Sequence, residues 1–247
     1  MYNPYSLEGK TILITGASSG IGRATAIECS KLGARCIITA RNQERLQQTL
    51  NQLEGDGHIQ IFADLTKKDE LENLINQTPK IDGLVNSAGI VYSKPITFIK
   101  QDDLDKIFSI NTYAPIILTK SLIKQKKINK RGSIVIISSI ASDTQTPGNT
   151  IYGMAKSALA CFTRYCALEL AQNKIRVNSI HPGMINTEMT ANICISKEEI
   201  EIDKNTYPLK RYGEPQEIAW AIIYLLSDAS SFVTGSKLTI DGGKSLI

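Results

Sequence analysis

The residues Lys10-Thr-Ile-Leu-Ile-Thr-Gly-Ala-Ser-Ser-Gly-Ile-Gly22 are the strongest indicator of how this chain folds. An apolar, β-type run leads into a glycine-rich turn, and a helical pattern follows from Ile21 to about Leu32. Gly16 permits the tight turn, Gly20 lets a pyrophosphate approach the backbone, and Gly22 lets strand and helix pack closely. The helix start adds free amides and a positive dipole end, which suit phosphate groups. The spacing Gly-x-x-x-Gly-x-Gly therefore predicts a dinucleotide site, the alternative being a turn that serves packing alone.

Positions after the next three apolar runs add to this site. Arg41 comes about twenty residues past the glycines, where an acidic residue would bind the ribose 2′-hydroxyl of NAD. A guanidinium suits a 2′-phosphate instead, so we favour NADP(H) over NAD(H); the alternative is a solvent-facing arginine that starts the next helix. Asp64 could accept a hydrogen bond from an adenine amino group or cap the helix predicted over 67–77. The small residues of Asn86-Ser-Ala-Gly89 leave room for a cofactor across the strand ends.

Farther along, a serine precedes a tyrosine–lysine pair. Ser139 follows the run Ser133-Ile-Val-Ile-Ile-Ser138, which is typical of a buried strand, and Tyr152 and Lys156 share one face of a helix predicted over 151–170. A nearby ammonium favours the phenolate, so we expect Lys156 to lower the pKa of Tyr152 toward working pH. A serine hydroxyl can hold a carbonyl oxygen beside this proton donor. The set predicts hydride transfer between a nicotinamide and an alcohol or ketone; a surface Tyr–Lys pair with a helix-capping serine is the alternative.

Apolar runs recur along the whole chain, and helical patterns separate most of them. Seven runs behave as strands, with starts near Lys10, Arg35, His58, Ile81, Ser133, Lys174 and Ser236. Most are too uniformly apolar for one-sided burial, which indicates a parallel sheet covered on both faces. We predict a single α/β domain over residues 1–247: a Rossmann-type, doubly wound, seven-stranded parallel sheet with its ligand site at the carboxyl ends of the strands.

Composition narrows the classes of function. A net charge of +4, without a basic cluster interleaved with aromatics, argues against nucleic-acid binding. The densest basic stretch, residues 120–131, is typical of a solvated helix end, the alternative being a docking site for an acidic partner. Five cysteines without paired spacing indicate a reducing compartment, no cluster has metal-ligand spacing, and neither His58 nor His181 is assigned a catalytic role. With no leader-like start and no apolar run of membrane length, we expect a cytoplasmic protein.

The segment from Met184 to Tyr207 breaks the alternation, because it is polar and charged with isolated apolar residues. We expect a mobile lid of one or two helices that orders over the substrate on binding, an ordinary surface helical hairpin being the alternative. A helix is predicted over 216–227 after this lid segment, with Pro215 in its first turn and Glu214 at its positive end.

These motifs resemble those of the short-chain dehydrogenase/reductase family over nearly the whole chain. The family's cofactor turn matches residues 15–22, and its Asn-Asn-Ala-Gly element matches residues 86–89, with Ser87 as a departure. Its Pro-Gly-x-x-x-Thr element matches residues 182–187. The cofactor contacts implied by the residues and the resemblance together are Gly16, Ser18, Ser19, Gly20, Ile21, Gly22, Arg41, Asp64, Leu65, Asn86, Ala88, Gly89, Tyr152, Lys156, Pro182, Gly183, Ile185 and Thr187.

The same resemblance implies a catalytic set of Asn111, Ser139, Tyr152 and Lys156. In this set Tyr152 is the acid/base and Ser139 positions the carbonyl. Lys156 tunes the tyrosine and holds the nicotinamide ribose, and Asn111 anchors a water that relays protons to Lys156.

Within the family, segments 175–183 and 208–219 are similar to those of 3-oxoacyl-(acyl-carrier-protein) reductases, which use NADPH. This similarity implies reduction of a 3-oxoacyl thioester, with an acyl carrier protein as partner. Leu168 stands where those reductases carry a basic residue, and Lys126 to Arg131 could supply another basic contact. The alternatives are a dehydrogenase of the same family that acts on a sugar, steroid or small ketone, and a non-catalytic, cofactor-sensing member. The resemblance also implies a homotetramer, or a dimer, assembled through the last helix and strand.

Overall fold

The computed structural model describes residues 2–191 and 196–247. Its strands are β1 Thr11–Thr15, β2 Arg35–Ala40, β3 Ile59–Phe62, β4 Ile81–Asn86, β5 Ile128–Ile137, β6 Arg176–Pro182 and β7 Lys237–Ile240. Its α-helices are α1 Gly20–Lys31, α2 Gln43–Leu50, α3 Lys68–Gln77, α4 Gln101–Phe108, α5 Ala114–Lys124, α6 Thr150–Leu170, α7 Glu188–Ala191, α8 Lys197–Thr206 and α9 Pro215–Leu226. Within these described ranges, no helix is both long enough and apolar enough to cross a membrane.

The strands form one parallel sheet in the order β3-β2-β1-β4-β5-β6-β7. Leu13 in β1 pairs with Ile37 of β2 on one side and with Leu84 of β4 on the other. The strand order reverses between β1 and β4, so the connections leaving these strands diverge and open a crevice at their carboxyl ends. The predicted fold class, a doubly wound seven-stranded sheet, is confirmed.

Alternate residues of the central strands point to opposite layers of helices. Leu13 and Ile37 belong to the core on the side of α3, α5 and α6. Ile12 and Ile14 belong to the core on the side of α1, α2 and α9. All four side chains are fully buried, which explains why these strands are apolar at successive positions rather than at every second one.

β5 is longer than predicted, since it begins at Ile128 rather than near Ser133. Ile128 pairs with Ile81, but the register shifts before Gly83 meets Ser133. Arg131 adopts a positive φ of 66° within this irregularity. The exposed, charged residues 130–131 interrupt the apolar pattern, and for that reason the pattern does not reveal where the strand begins.

The lid segment, residues 184–207, contains α7 and α8; its residues 192–195 lie outside the described part of the chain. The Ser196 hydroxyl caps α8 by accepting a hydrogen bond from the Glu199 amide. At the end of the segment, the buried Tyr207 hydroxyl accepts a 3.3 Å hydrogen bond from the Met184 amide, which ties the two ends together. Ordering of this segment on substrate binding stays a prediction.

Candidate active site

A cleft of about 1070 Å³ lies along the carboxyl edge of the sheet. One end is lined by Arg41 and Arg45, beside the end of β2, and the other by Ser139, Tyr152 and Lys156. The glycine turn lies between them, as the switch in strand order between β1 and β4 requires. The sheet therefore brings residues more than a hundred positions apart to one elongated site.

The glycine turn is tightly packed. Gly16 has a φ of +68°, and a Cβ atom there would lie 2.9 Å from the backbone of Ala88. A Cβ atom at Gly22 would overlap the carbonyl oxygen of Gly16. The cap residue of α1, Ser19, makes no side-chain hydrogen bond to the helix, which leaves the first-turn amides available to phosphate oxygens. The turn therefore fits the pyrophosphate of a dinucleotide.

Thr15 at the end of β1 fastens this turn to its neighbour. Its hydroxyl oxygen accepts hydrogen bonds from the amides of Ser87 at 3.0 Å and Ala88 at 3.1 Å. Ser87, the departure from the family element, thus joins the site through its main chain. Sequence reasoning missed the role of Thr15, because nothing local shows which backbone its hydroxyl meets.

Two arginines line the cleft at the end of β2. Arg41 is exposed and precedes Asn42, whose side chain caps α2 by accepting from the Arg45 amide at 2.9 Å. Arg41 thus faces solvent just before the start of α2, and its contact with a 2′-phosphate stays a prediction. Arg45 forms an ion pair with Glu188 of α7. Sequence reasoning missed Arg45, although its position four residues after Arg41 was a usable signal.

Asp64 and Asn86 lie outside the lining of the cleft. The Asp64 carboxylate closes a local turn by accepting from the Thr66 amide at 2.9 Å and the Thr66 hydroxyl at 2.7 Å. Lys67, and not Asp64, is the cap residue of α3, so the helix-cap alternative for Asp64 is wrong. The Asn86 amide is buried beneath the cleft and donates to the Thr119 hydroxyl of α5 at 3.1 Å.

The other predicted cofactor contacts all line the cleft: Gly16, Ser18, Ser19, Gly20, Ile21, Gly22, Arg41, Leu65, Ala88, Gly89, Tyr152, Lys156, Pro182, Gly183, Ile185 and Thr187. The lining also includes residues that no motif indicated, among them Gln145, Asn149, Asp203, Tyr207 and Lys244. These five surround the end of the cleft near Tyr152 or come from the lid segment and the residues after β7. Asp203 and Tyr207 belong to the predicted lid segment. Gln145, Asn149 and Lys244 reach the cleft through long-range packing, for which the sequence carried no signal.

Lys156 is buried on α6, and its ammonium group donates a 2.9 Å hydrogen bond to the carbonyl oxygen of Ile137. The same ammonium lies 5.7 Å from the centre of the half-buried Tyr152 ring. Ser139 follows β5, and it lines the cleft together with Tyr152. The Ser139 hydroxyl accepts a 3.1 Å hydrogen bond from the Ala141 amide, and Ser139 thereby caps a short 3₁₀ turn. The alternative of a surface Tyr–Lys pair is excluded by the burial of Lys156.

The pKa of Tyr152 differs from the expectation. Burial raises the pKa of Tyr152 to about 12, and the neighbouring Ser139 side chain offsets only part of this rise. Burial also lowers the pKa of Lys156 to about 8. Desolvation of the phenolate therefore outweighs any lowering by the lysine, and the phenol is held in its neutral form.

Asn111 occupies a π-helical turn between α4 and α5, and it is fully buried. Its side-chain oxygen accepts from the Ile90 amide at 2.9 Å, and its side-chain nitrogen donates to the Ile90 carbonyl at 2.8 Å. Both ends of the side chain thus hold the loop after β4. A Cβ atom at Gly89 would meet Asn111 at 2.6 Å and Lys156 at 3.5 Å, so Asn111 lies close to the lysine. The water relay through Asn111 stays a prediction.

Comparison with known proteins agrees with this geometry. A family model described as enoyl-(acyl carrier protein) reductase matches residues 16–245. The chain is 38% identical, over 98% of its length and 99% of the relative's, to a 3-oxoacyl-(acyl-carrier-protein) reductase of Rickettsia felis. It is 32% identical to a cyclopentanol dehydrogenase of a Comamonas species, over 95% and 96% of the two chains. A crystal structure of a dehydrogenase/reductase from Sinorhizobium meliloti superposes with a TM-score of 0.90 at 34% identity, covering 98% of this chain and 97% of that one.

These matches span almost the whole length of the chain and contain the glycine turn, Ser139, Tyr152 and Lys156. We conclude that the chain belongs to the short-chain dehydrogenase/reductase family of nicotinamide-dependent oxidoreductases.

Proposed function

We propose that this protein is an NADPH-dependent reductase that converts a 3-oxoacyl thioester to the 3-hydroxyacyl thioester. The observation that supports the proposal is the grouping of Ser139, Tyr152 and the buried Lys156 in one cleft, which two arginines also line. The first group of residues suits a carbonyl, and the second suits a phosphate. The cleft, at about 1070 Å³, offers the space for an extended cofactor together with a substrate.

Preference for NADPH rests on charge. Arg41 and Arg45 line the cleft, and the residues from Thr39 to Asn42 offer no carboxylate that would bind a ribose 2′-hydroxyl. A guanidinium binds a phosphate dianion by charge-assisted hydrogen bonds, which are about twice as strong as neutral ones. The glycine turn would hold the pyrophosphate, Arg41 the 2′-phosphate, and Lys156 the nicotinamide ribose.

The protein residues supply the proton and the orientation. The bound reduced nicotinamide supplies the hydride for the carbonyl carbon. Tyr152, kept neutral by burial, donates its hydroxyl proton to the carbonyl oxygen, and the Ser139 hydroxyl donates a hydrogen bond to the same oxygen. The phenolate left behind is stabilised by the Lys156 ammonium, 5.7 Å from the ring centre.

The thioester substrate is supported by the relatives that carry that activity in their names, such as the one from Rickettsia felis. The proposal takes the acyl carrier protein to be an acidic partner, which would dock on exposed cationic side chains of this chain. Lys130 and Arg131 are exposed at the start of β5 and fit that role. Lys127 does not, because its ammonium donates to the carbonyl oxygens of Ile75, Asn76 and Thr78 at the end of α3.

A homotetramer and a cytoplasmic location belong to the same proposal. Two separate surfaces present large apolar side chains: Tyr165 and Leu168 of α6 on one, and Trp220 of α9 with Phe232 after it on the other. If each of these two apolar surfaces is covered by another copy of the chain, the assembly is a dimer of dimers. The four described cysteines are free thiols, which supports a reducing compartment.

The second candidate is reduction of a small cyclic or open-chain ketone without a carrier. It is favoured by the 32% identical relative that is named a cyclopentanol dehydrogenase. The chemistry at Tyr152 would be the same, so only the substrate end of the cleft distinguishes the two.

The test is NADPH oxidation with acetoacetyl-carrier protein, with NADH, cyclopentanone and an enoyl thioester in parallel. Fast turnover of the 3-oxoacyl thioester with NADPH supports the proposal. Turnover of cyclopentanone alone favours the second candidate, and turnover of the enoyl thioester alone would replace carbonyl reduction by double-bond reduction. Tight binding of NADPH without any turnover would contradict both carbonyl reactions.

A further inference from the structure

His181 lies behind the reacting groups, on β6, and is fully buried. Its Nδ1 is 3.1 Å from the carbonyl oxygen of Ser139 and 2.9 Å from the hydroxyl of Ser142. Its Nε2 is 2.9 Å from the hydroxyl of Ser179. Both ring nitrogens are therefore in hydrogen-bond contact, and two of the three partners belong to the short segment that begins with Ser139.

The partners define which ring nitrogen carries the proton. The Ser139 carbonyl can only accept, so Nδ1 must be the donor, and Nε2 then accepts from the Ser179 hydroxyl. Three charged groups act on the ring: Asp143, 3.8 Å from Nδ1, Lys237, which pairs with Asp143, and Lys156. Burial prevails and lowers the pKa of His181 to about 4, so the ring is neutral and the Nδ1–H donor is fixed at neutral pH.

The Ser139 carbonyl oxygen accepts three hydrogen bonds. It accepts from His181 Nδ1, from the Ser142 hydroxyl at 2.8 Å and from the Ser142 amide at 3.1 Å. The imidazole is the only one of these three donors that comes from the sheet; the other two belong to the same turn as Ser139 and move with it. The contact from β6 therefore ties the Ser139 carbonyl itself to the sheet. Farther along the same turn, Lys237 of β7 binds Asp143, and the Ser157 hydroxyl of α6 donates to the Ser142 carbonyl.

We propose that His181 is a positioning residue, which holds the Ser139 peptide through Nδ1–H and so aims the Ser139 hydroxyl at the carbonyl oxygen beside Tyr152. The inference rests on the proposed carbonyl reduction, in which Ser139 and Tyr152 act on one oxygen. It predicts that His181 affects the chemical step through Ser139 and through no other group.

A nucleophilic serine–histidine–carboxylate set is the competing interpretation, since Ser179 faces Nε2 and Asp143 lies near Nδ1. Burial argues against it. Ser179 is 2% exposed and His181 0%, so no substrate carbonyl can reach that hydroxyl, and Asp143 is exposed and bound by Lys237. Ser179 is better explained as the donor that fixes the ring tautomer.

Three substitutions at His181 distinguish a need for the Nδ1–H donor from a need for side-chain volume. His181→Asn keeps an amide N–H at the same number of bonds from Cβ as Nδ1, whereas His181→Gln places one at the Nε2 position. His181→Ala removes both. We expect kcat for ketone reduction to fall about tenfold in the Ala and Gln variants, the equivalent of one hydrogen bond, and to recover most of this loss in the Asn variant. The dissociation constant of NADPH should not change in any of them.

A double variant tests whether His181 affects kcat through Ser139. If His181 acts through Ser139, then His181→Ala should cause no further loss of kcat in a Ser139→Ala background. Independent, multiplying losses would overturn the proposal, as would equal activity of the Asn and Gln variants. A merely structural role would lower thermal stability in all backgrounds without this dependence on Ser139.

Crystal structures of the same variants give a readout that needs no substrate. The Ser139 carbonyl should rotate away from β6 in the Ala and Gln variants and stay in place in the Asn variant; an unmoved Ser139 in His181→Ala would contradict the proposal. If the proposed thioester reaction is wrong, the unsubstituted enzyme will not reduce the thioester. The His181 variants are then compared with that enzyme on whichever ketone it does reduce.

Discussion

The Lys156 ammonium lies 5.7 Å from the centre of the Tyr152 ring, and its hydrogen bond goes to the main-chain carbonyl of Ile137 rather than to the phenol. The two side chains share a helix face, but they are not directly bonded. The lysine is therefore anchored by the end of β5, at a distance from which it stabilises a phenolate without removing the proton from a neutral tyrosine. Tyr152 and Lys156 hold separate roles, and variants should separate them.

Tyr152→Phe should abolish turnover and leave NADPH binding intact. The substitution removes the hydroxyl that we propose as the proton donor, while the ring keeps its volume. Turnover is measured by the absorbance of NADPH and binding by its fluorescence. Retained activity in this variant would sink the proposed mechanism, whereas loss of both activity and binding would indicate a misfolded site.

Arg41→Ala should weaken NADPH binding by roughly 10- to 100-fold, the equivalent of one or two charge-assisted hydrogen bonds. NADH lacks the 2′-phosphate and serves as the internal control, so its dissociation constant should stay the same. Arg45→Ala should have a smaller effect, because Arg45 is already paired with Glu188. Titration calorimetry with both cofactors measures the ratio; an equal loss for NADH and NADPH would refute a phosphate-specific role.

Lys127 and Lys130 belong to one basic stretch but should behave differently. Lys127→Met removes the donor to three carbonyl oxygens at the end of α3, and we expect it to lower the free energy of unfolding by about 1–2 kcal/mol. Lys130→Met, at an exposed position, should leave stability unchanged and raise KM for a carrier-protein substrate only.

Denaturant unfolding and steady-state kinetics with carrier-bound and free thioesters give the comparison. A raised KM for the free thioester as well would show that Lys130 does not act on the carrier. Equal stabilities of the Lys127→Met variant and the parent would contradict the capping role of Lys127.

Acid should destabilise the protein through His181. Its pKa is about 4 in the folded protein and has an ordinary value of 6.5. Between these values the unfolded chain binds the proton and the folded chain does not, so stability falls as pH falls from 6.5 to 4. The full difference is about 3 kcal/mol. Since other groups titrate in this window, the readout is the difference between the parent and His181→Asn, which lacks this proton; a pH-independent difference would refute the assignment.

Much of the fold was predictable because it depends on local patterns. Successive apolar residues such as Ile12, Leu13 and Ile14 indicate a strand buried on both faces, and all three are fully buried. The start of β5 was missed, because the charged residues 130–131 continue the strand through an irregular register shift. Asp64 was ambiguous, because an aspartate after a strand can close a turn or cap a helix with equal local preference.

Local sequence patterns were enough to predict the seven strands, the glycine turn and the face shared by Tyr152 and Lys156, since each follows from backbone periodicity and steric demand over a few residues. The packed fold was needed to show which carbonyl anchors Lys156, that Arg45 pairs with Glu188, that burial raises the pKa of Tyr152, and that His181 contacts Ser139. These depend on neighbours tens to hundreds of residues away and on the exclusion of water, and no local pattern encodes either.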